Sequence, residues 1–88
     1  MVTKFTRHFL KDLDKINHSS IKREIAGIIE QVEQATSLST IVNIKKLKGF
    51  STAYRIRSGD YRIGIYIENN IVKFARIAHR KDIYKVFP

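Results

Sequence analysis

The stretch Tyr54–Tyr66, YRIRSGDYRIGIY, alternates apolar and polar residues on both sides of a Gly-Asp pair. Alternation with a period of two is typical of a strand with one buried face, and Gly-Asp suits a two-residue turn, so the stretch predicts a β-hairpin. With the Gly-Asp pair as the turn, Ser58 faces Tyr61 and Arg57 faces Arg62. The hairpin therefore sets two positive charges directly opposite each other.

This register divides the hairpin into an apolar face and a basic face, because opposed residues share a face of a sheet. We expect helices to cover the apolar face, which contains Tyr54, Ile56, Ile63, Ile65 and Ile67. The basic face contains Arg55, Arg57, Arg62 and Tyr66, with open space at Gly64 among them.

The opposed arginines of the basic face are unfavourable in the absence of a partner. Two unit charges about 5 Å apart repel by roughly 1 kcal/mol in water. Side chains that splay into solvent would reduce this repulsion. An anion between Arg57 and Arg62 would turn it into attraction, and the guanidinium fork matches phosphate geometry. We therefore favour an anion-binding role for this face.

The rest of the chain predicts a single α+β domain over residues 1–88. A short opening strand at Val2–Phe5 precedes two amphipathic helices, the first capped by Thr6 and the second near Ile21–Gln34. Residues 41–50 suggest a strand or an extended segment. We predict a two-helix hairpin on one face of a curved, mostly antiparallel four-stranded sheet, in the order β-α-α-β-β-β. The last three strands are Ala53–Ser58, Tyr61–Glu68 and Ile71–Ala78.

The Asn69-Asn70 pair predicts a second tight turn and so extends the register into the last strand. Alternation then places Val72, Phe74 and Ala78 on the covered face. It places Lys73, Ala75, Ile77 and His79 on the basic face, with Ile77 beside Arg62. Arg76 falls on the covered side, which requires either a position at the rim of the sheet or a β-bulge.

Composition points to a polyanionic partner. The chain carries 17 basic and 8 acidic residues, a net charge of +9. Residues 1–38 contribute +1 and residues 39–88 contribute +8. Such a concentrated field favours binding to nucleic acid or to an acidic protein segment, although lysines also keep small proteins soluble.

The residue types that the chain lacks exclude several classes of protein. There is no cysteine, which excludes disulfides and thiolate sites. His8 and His18 have no ligand spacing with His79, so we expect no metal site and no cofactor. No segment approaches the ~20 apolar residues of a membrane span, and the N-terminus lacks a signal-peptide core. We expect a cytoplasmic protein without membrane contact.

The order of short motifs resembles the RelE/ParE family of toxins from toxin–antitoxin systems. KKLKG, YRIR, GDYRI and HRKDIY follow one another between residues 45 and 84, after the two amphipathic helices. The resemblance covers essentially the whole chain. It implies neutralisation by a cognate antitoxin, with DNA contacted only indirectly through that antitoxin. It also implies that RelE-like members cut messenger RNA in the ribosomal A site, whereas ParE-like members act against DNA gyrase.

The resemblance further implies a set of catalytic residues. Arg62 and Arg80 match the RelE set in identity and position, whereas Arg55 and Arg57 stand where the best-known RelE type has lysines. Tyr84 follows Arg80 at a shorter interval than the catalytic tyrosine does in that type. By this comparison the set is Arg55, Arg57, Arg62, Arg80 and Tyr84.

RNA supplies its own nucleophile, the 2′-hydroxyl, so a basic surface can cleave it once a base and an acid are positioned. Arginine stays protonated and is a poor base. Candidates for proton transfer are therefore Tyr84, His79, Lys46 and Lys48. A single histidine at a strand end is more often structural, and Tyr84 can equally be a packing residue.

We predict a toxin with endoribonuclease activity on translated messenger RNA, whose partners are the ribosome, the message and the antitoxin. Lys45, Lys46 and Lys48 would attract RNA at longer range, and Tyr66 would stack on a base. Two alternatives remain open. One is a gyrase inhibitor on the same fold, and the other is a catalytically silent member whose basic face only holds its antitoxin.

Overall fold

The computed structural model describes residues 1–88, which form one five-stranded sheet with helices on both of its faces. The strands lie side by side in the order β1-β5-β4-β3-β2. β1 runs parallel to β5, and the other neighbours are antiparallel. In chain order the elements are β1 (Val2–Phe5), α1 (Arg7–Asp14), α2 (Ser19–Gln34), a 3₁₀ turn (Leu38–Thr40), β2 (Ile44–Lys46), β3 (Ala53–Ser58), β4 (Tyr61–Glu68), β5 (Ile71–His79) and α3 (Ile83–Val86).

The predicted α+β fold and helical hairpin are confirmed, but the prediction of four strands was wrong. Both edge segments of the chain are paired: β1 lies along β5, and the three-residue β2 lies along β3. Neither edge strand has a fully buried residue. Short, half-exposed edge strands carry a weak hydrophobic pattern, because their pairing depends on the neighbouring strand rather than on their own burial.

The predicted register of the β3–β4 hairpin is confirmed. Arg57 lies opposite Arg62 and Ser58 lies opposite Tyr61. Gly59 has a positive φ of 57°, in the left-handed region that tight hairpin turns require. Because the turn has two residues, the alternation of side chains is fixed along the whole hairpin.

The main hydrophobic core lies between the helical hairpin and the apolar face of the sheet. Its helical half includes Phe9, Ile25 and Val32, and its sheet half includes Ile63 and Phe74. Thr6 begins α1 as predicted, because its hydroxyl accepts a hydrogen bond from the backbone N–H of Phe9 at 3.0 Å. None of the helices combines the length and the apolar character needed to cross a bilayer.

A β-bulge changes the phase of β5 and overturns part of the predicted alternation. The register between β4 and β5 shifts between Gly64 and Ile65. Ile77 therefore pairs with Ile63 in the main core, and Ala78 pairs with Arg62. The predicted placements of Ile77 on the basic face and of Ala78 on the covered face were wrong, because one extra residue enters β5.

The bulge also explains Arg76, which alternation could not place. Its guanidinium donates from Nε and Nη2 to the carboxylate of Asp12 in α1, at 2.7 and 3.1 Å. The backbone N–H of Ile77 donates to the same carboxylate at 3.0 Å. Asp12 thereby satisfies polar groups that the bulge leaves without a partner and ties α1 to β5.

A second, smaller core covers the middle of the basic face. Ala53, Ala75, Ile83 and Phe87 are buried together, and the ring of Phe87 lies directly over Gly64. The predicted open space at Gly64 is therefore filled, and the basic face is partly covered by α3 and the residue that follows it. Only a residue without a side chain allows this close approach, since a Cβ at Gly64 would lie 2.5 Å from a ring carbon of Phe87.

Candidate functional site

The centre of the candidate site is the opposed pair Arg57 and Arg62 at the turn end of the β3–β4 hairpin. Arg57 is exposed and Arg62 is half-buried. One guanidinium nitrogen of Arg62 donates to the carbonyls of Gly59 and Tyr61, at 2.8 and 3.0 Å. These bonds hold the Arg62 side chain against the turn, so its position is set by the hairpin itself.

Three other arginines lie close enough to Arg62 to affect its pKa. Burial lowers the pKa of Arg62, and the charges of Arg55, Arg57 and Arg80 lower it further. No carboxylate forms an ion pair with Arg55, Arg57 or Arg62. We call Arg55, Arg57, Arg62 and Arg80 the arginine cluster. Its charge is largely uncompensated within the protein.

Arg80 is held beside the other members of the arginine cluster by a contact with the turn of the hairpin. Its backbone N–H donates to the carbonyl of Asp60 at 2.7 Å, and its Nε lies 4.0 Å from the Asp60 carboxylate. Both side chains are exposed, so this ion pair contributes little stability. The backbone bond matters more, because it holds the end of β5 beside the turn that carries Arg62.

Tyr84 lies on α3, close enough to the cluster to influence the charge of Arg62. Its side chain is 62% exposed, whereas its neighbour Ile83 is fully buried and anchors the helix on the sheet. Electrostatic interaction with Tyr84 raises the pKa of Arg62 against the stronger lowering effects. The structure thus brings together the arginines and the tyrosine that the family resemblance implied.

His79 lies elsewhere, and its predicted place on the basic face was wrong. It pairs with Tyr61, whose ring packs against the main core on the covered side of the sheet. The two rings meet edge to face at 6.1 Å between centroids. Nδ1 of His79 accepts a hydrogen bond from the backbone N–H of Lys81 at 3.2 Å. These contacts support the structural alternative for His79.

The remaining predicted RNA-binding residues divide into two groups. Tyr66 lies on the basic face as predicted, but its ring is half-buried against Phe87, with 5.1 Å between centroids. Lys45 pairs with Arg55 and so extends the basic face across β2. Lys46 pairs with Tyr54, on the opposite side of the sheet, and Lys48 is exposed in the loop after β2.

The chemistry available at the site is that of a phosphate clamp. Arginine forks bind phosphate oxygens in pairs, and a phenol can take part in proton transfer. No group of three or more His, Asp or Glu side chains comes together in an arrangement that could hold a metal ion.

A sequence model of the family described as the ParE toxin of type II toxin–antitoxin system, parDE, matches residues 3–84. The chain belongs to this toxin family. The toxin is 42% identical over 85 residues to Toxin RelE3 of Methanocaldococcus jannaschii, and the alignment covers 96% of each chain. The predicted family and the predicted toxin identity are therefore confirmed.

Solved structures support the same assignment. The toxin matches a crystal structure of a RelB–RelE antitoxin–toxin complex from Methanococcus jannaschii with a TM-score of 0.82 and 41% identity, covering 97% of this chain and 99% of the other. An archaeal RelE–RelB complex from Pyrococcus horikoshii matches with a TM-score of 0.75 at 20% identity, over 93% and 97% of the two chains. The second match shows a shared fold.

Sequence reasoning missed two features of the toxin's site. The first is Asp60, whose carbonyl holds Arg80 in place. The second is Phe50, which is 50% exposed beside the lysines of residues 45–48. Phe50 follows Gly49, whose φ of 86° turns the chain out of the strand pattern. An exposed aromatic residue next to a lysine run was the signal that could have drawn attention to it.

Proposed function

We propose that this toxin is an endoribonuclease that cleaves messenger RNA at the ribosome by attack of the RNA 2′-hydroxyl. The observation that carries the proposal is the opposed, unpaired Arg57 and Arg62 on the accessible end of the basic face. A fold does not need such a pair. A phosphodiester between the two guanidiniums removes their repulsion and places the scissile bond within the arginine cluster.

The proposed roles follow from the geometry of the cluster. Arg57 and Arg62 bind the non-bridging oxygens of the scissile phosphate, and Arg55 and Arg80 stabilise the charge that develops in the transition state. The 2′-oxygen forms a bond to phosphorus while the bond to the 5′-oxygen breaks. The products are a 2′,3′-cyclic phosphate and a 5′-hydroxyl.

Two protons move in this reaction, one from the 2′-hydroxyl and one to the leaving 5′-oxygen. Arginines that stay protonated do not accept the first. We assign Tyr84 to proton transfer, because its phenol is exposed and interacts electrostatically with Arg62. Lys48 is a further candidate, whereas Lys46 fits less well because it pairs with Tyr54 on the opposite side of the sheet. His79 fits this role less well, since its ring lies against Tyr61 on the other side of the sheet.

We further propose that an antitoxin similar to RelB neutralises the toxin. The matching crystal structures from M. jannaschii and P. horikoshii are complexes of an antitoxin with its toxin. Acidic side chains of such an antitoxin would compensate the arginine cluster as a phosphate does. Contact with DNA would then come through the antitoxin.

A defined ribosomal assay tests the nuclease proposal. Ribosomes programmed with an end-labelled message are mixed with purified toxin, and the products are analysed for a cyclic phosphate end. Cleavage should disappear when a 2′-deoxynucleotide replaces the ribonucleotide at the scissile position. It should fall about 100- to 1,000-fold in Arg62→Gln, because one stabilising donor is lost. An exposed arginine of α2, Arg23, provides the matched control.

A second candidate function is inhibition of DNA gyrase, which is favoured by the description of the matching family as ParE toxins. Purified gyrase, supercoiled plasmid and toxin should yield no broken DNA if the nuclease proposal is correct. Accumulation of cleaved plasmid, together with an intact ribosomal message, would replace it with the gyrase function. A toxin that is inactive in both assays would be the catalytically silent member.

A further inference from the structure

A groove of about 390 Å³ lies beside the arginine cluster, between the loop after β2 and the C-terminal segment. Its walls carry Lys45, Lys46, Lys48, Phe50, Tyr84 and Pro88, and no acidic residue lines it. The volume falls within the range of roughly 300–1,000 Å³ that is usual for ligand sites. The groove therefore combines positive charge with an apolar interior.

Two aromatic side chains of this groove have no aromatic partner. Phe50 is 50% exposed and Tyr84 is 62% exposed. Neither ring forms one of the ring pairs of the protein, whereas Tyr66 on the same face is packed against Phe87. A solvent-exposed ring beside lysines is the arrangement by which proteins stack unpaired bases while binding the backbone phosphates.

Two observations place the groove next to the arginine cluster. Lys45, on its wall, pairs with Arg55 across β2 and β3. Tyr84, on its other wall, interacts electrostatically with Arg62. A strand of RNA whose phosphate sits at the arginine cluster would thus have a neighbouring base at the mouth of the groove.

We propose that this groove binds an unpaired nucleobase next to the scissile phosphate, with Phe50 as its stacking platform and with Lys45 and Lys48 as contacts to the adjoining phosphates. The proposal rests on the proposed nuclease function and adds a binding subsite to it. Phe50 then contributes a stacking contact that every base can make, because every base has a π-face. Pyrimidines and purines stack with different strengths, so the groove gives the toxin a base preference.

Binding to a short RNA provides the test. The probe is a single-stranded RNA hexamer in which 2′-O-methyl groups remove the nucleophile, and its affinity for the full chain is measured by fluorescence anisotropy at low salt. Phe50→Ala should weaken binding about 5- to 150-fold, the range expected for one lost base–aromatic stack. Phe50→Trp should retain affinity. Leu10→Ala is the matched control, since Leu10 is also 50% exposed but lies on α1.

An abasic hexamer makes the test specific for stacking. On an RNA that lacks the base occupying the groove, Phe50→Ala should cause no further loss of affinity, because the two changes delete the same interaction. Equal affinities of Phe50→Ala and Leu10→Ala would overturn the proposal. So would a Phe50→Ala loss that persists on abasic RNA, or an effect of Phe50→Ala confined to self-association or to antitoxin binding.

The result is separable from the nuclease assay. If the wild-type toxin cleaves the ribosomal message and Phe50→Ala binds RNA as tightly as the wild type, the base-binding groove is disproved and the nuclease function is retained. A toxin that cleaves nothing but binds the hexamer in a Phe50-dependent manner would keep the groove and remove the nuclease.

Discussion

Arg57 and Arg62 show how a single pair of residues can oppose folding in favour of binding. The two residues lie opposite each other on the adjacent strands β3 and β4, and the pKa of Arg62 is lowered by burial and by the neighbouring arginines. A lowered pKa means that the folded state disfavours the charged form. Because arginine remains protonated at every pH at which proteins fold, this penalty is constant across neutral pH and is relieved only by removing a charge or adding an anion.

The first prediction is that Arg57→Gln stabilises the free toxin. Arg57 is exposed, and its side chain makes no ion pair and no hydrogen bond within the protein, so the substitution removes repulsion without removing a polar contact. The free energy of unfolding should rise by about 0.3–0.8 kcal/mol, which allows for screening of exposed charges by solvent. Urea denaturation measures this difference.

The control for that experiment is Arg23→Gln on α2, away from the arginine cluster, which should leave stability nearly unchanged. Added phosphate should stabilise the wild type more than Arg57→Gln. Lower stability of Arg57→Gln would mean that the guanidiniums do not repel each other.

At the level of elements, the carboxylate of Asp12 joins α1 to the bulge of β5, in addition to the packing of Phe9 in the main core. The Asp12 side chain is 9% exposed and accepts hydrogen bonds from Arg76 and from the backbone of Ile77. Asp12→Ala should reduce the free energy of unfolding by about 1–3 kcal/mol, because it leaves buried donors at the bulge without a partner. Asp14→Ala, at an exposed position of the same helix, is the control. Similar small losses in both variants would show that Asp12 is dispensable.

The C-terminal segment depends on the missing side chain at residue 64. Gly64→Ala should destabilise the toxin by about 1–3 kcal/mol through its clash with Phe87, as overpacking does in a core. The same substitution at Gly27, in the interior of α2 with no atom within 4 Å of the new Cβ, should instead stabilise by about 0.5–1 kcal/mol. Thermal unfolding compares the two variants.

A third variant makes the Gly64 prediction specific. In a Phe87→Ala background, Gly64→Ala should have little further effect, since the ring that it meets is gone. An undiminished penalty would place the cause elsewhere in β4.

The strands differ in how well the sequence predicted them. The β3–β4 hairpin was predictable to the residue, because a two-residue turn and strict alternation leave one register. The bulge in β5 was not, since the residues that stabilise it, Asp12 and Arg76, are 64 positions apart. The opening strand β1 was predicted at its observed bounds. The three-residue β2 was predicted only as a strand or an extended segment, because it is completed by its pairing with β3.

The same division applies to the site. Arg55, Arg57 and Arg62 were predictable because they lie on one hairpin. The covering of Gly64 by Phe87 and the groove around Phe50 were not, because they depend on how the C-terminal segment folds back over the sheet.

At the level of the whole molecule, the net charge of +9 is concentrated in the half that carries the arginine cluster. Binding of single-stranded RNA should therefore weaken steeply with salt. With about four phosphates neutralised, a plot of log K against log salt concentration should have a slope of about −3, and Arg57→Gln should reduce its magnitude by about 0.7. Titrations at several salt concentrations give both values. A slope near zero would exclude phosphate contacts as the source of affinity.

The most direct test of the account is the single-turnover rate at which Arg57→Gln cleaves a ribosome-bound message. We predict a rate about 10- to 1,000-fold below that of the wild type, from a protein that is at least as stable, because the lost charge acts on the phosphate rather than on the fold. A variant that cleaves as fast as the wild type would contradict the claim that the opposed arginines exist to hold a phosphate.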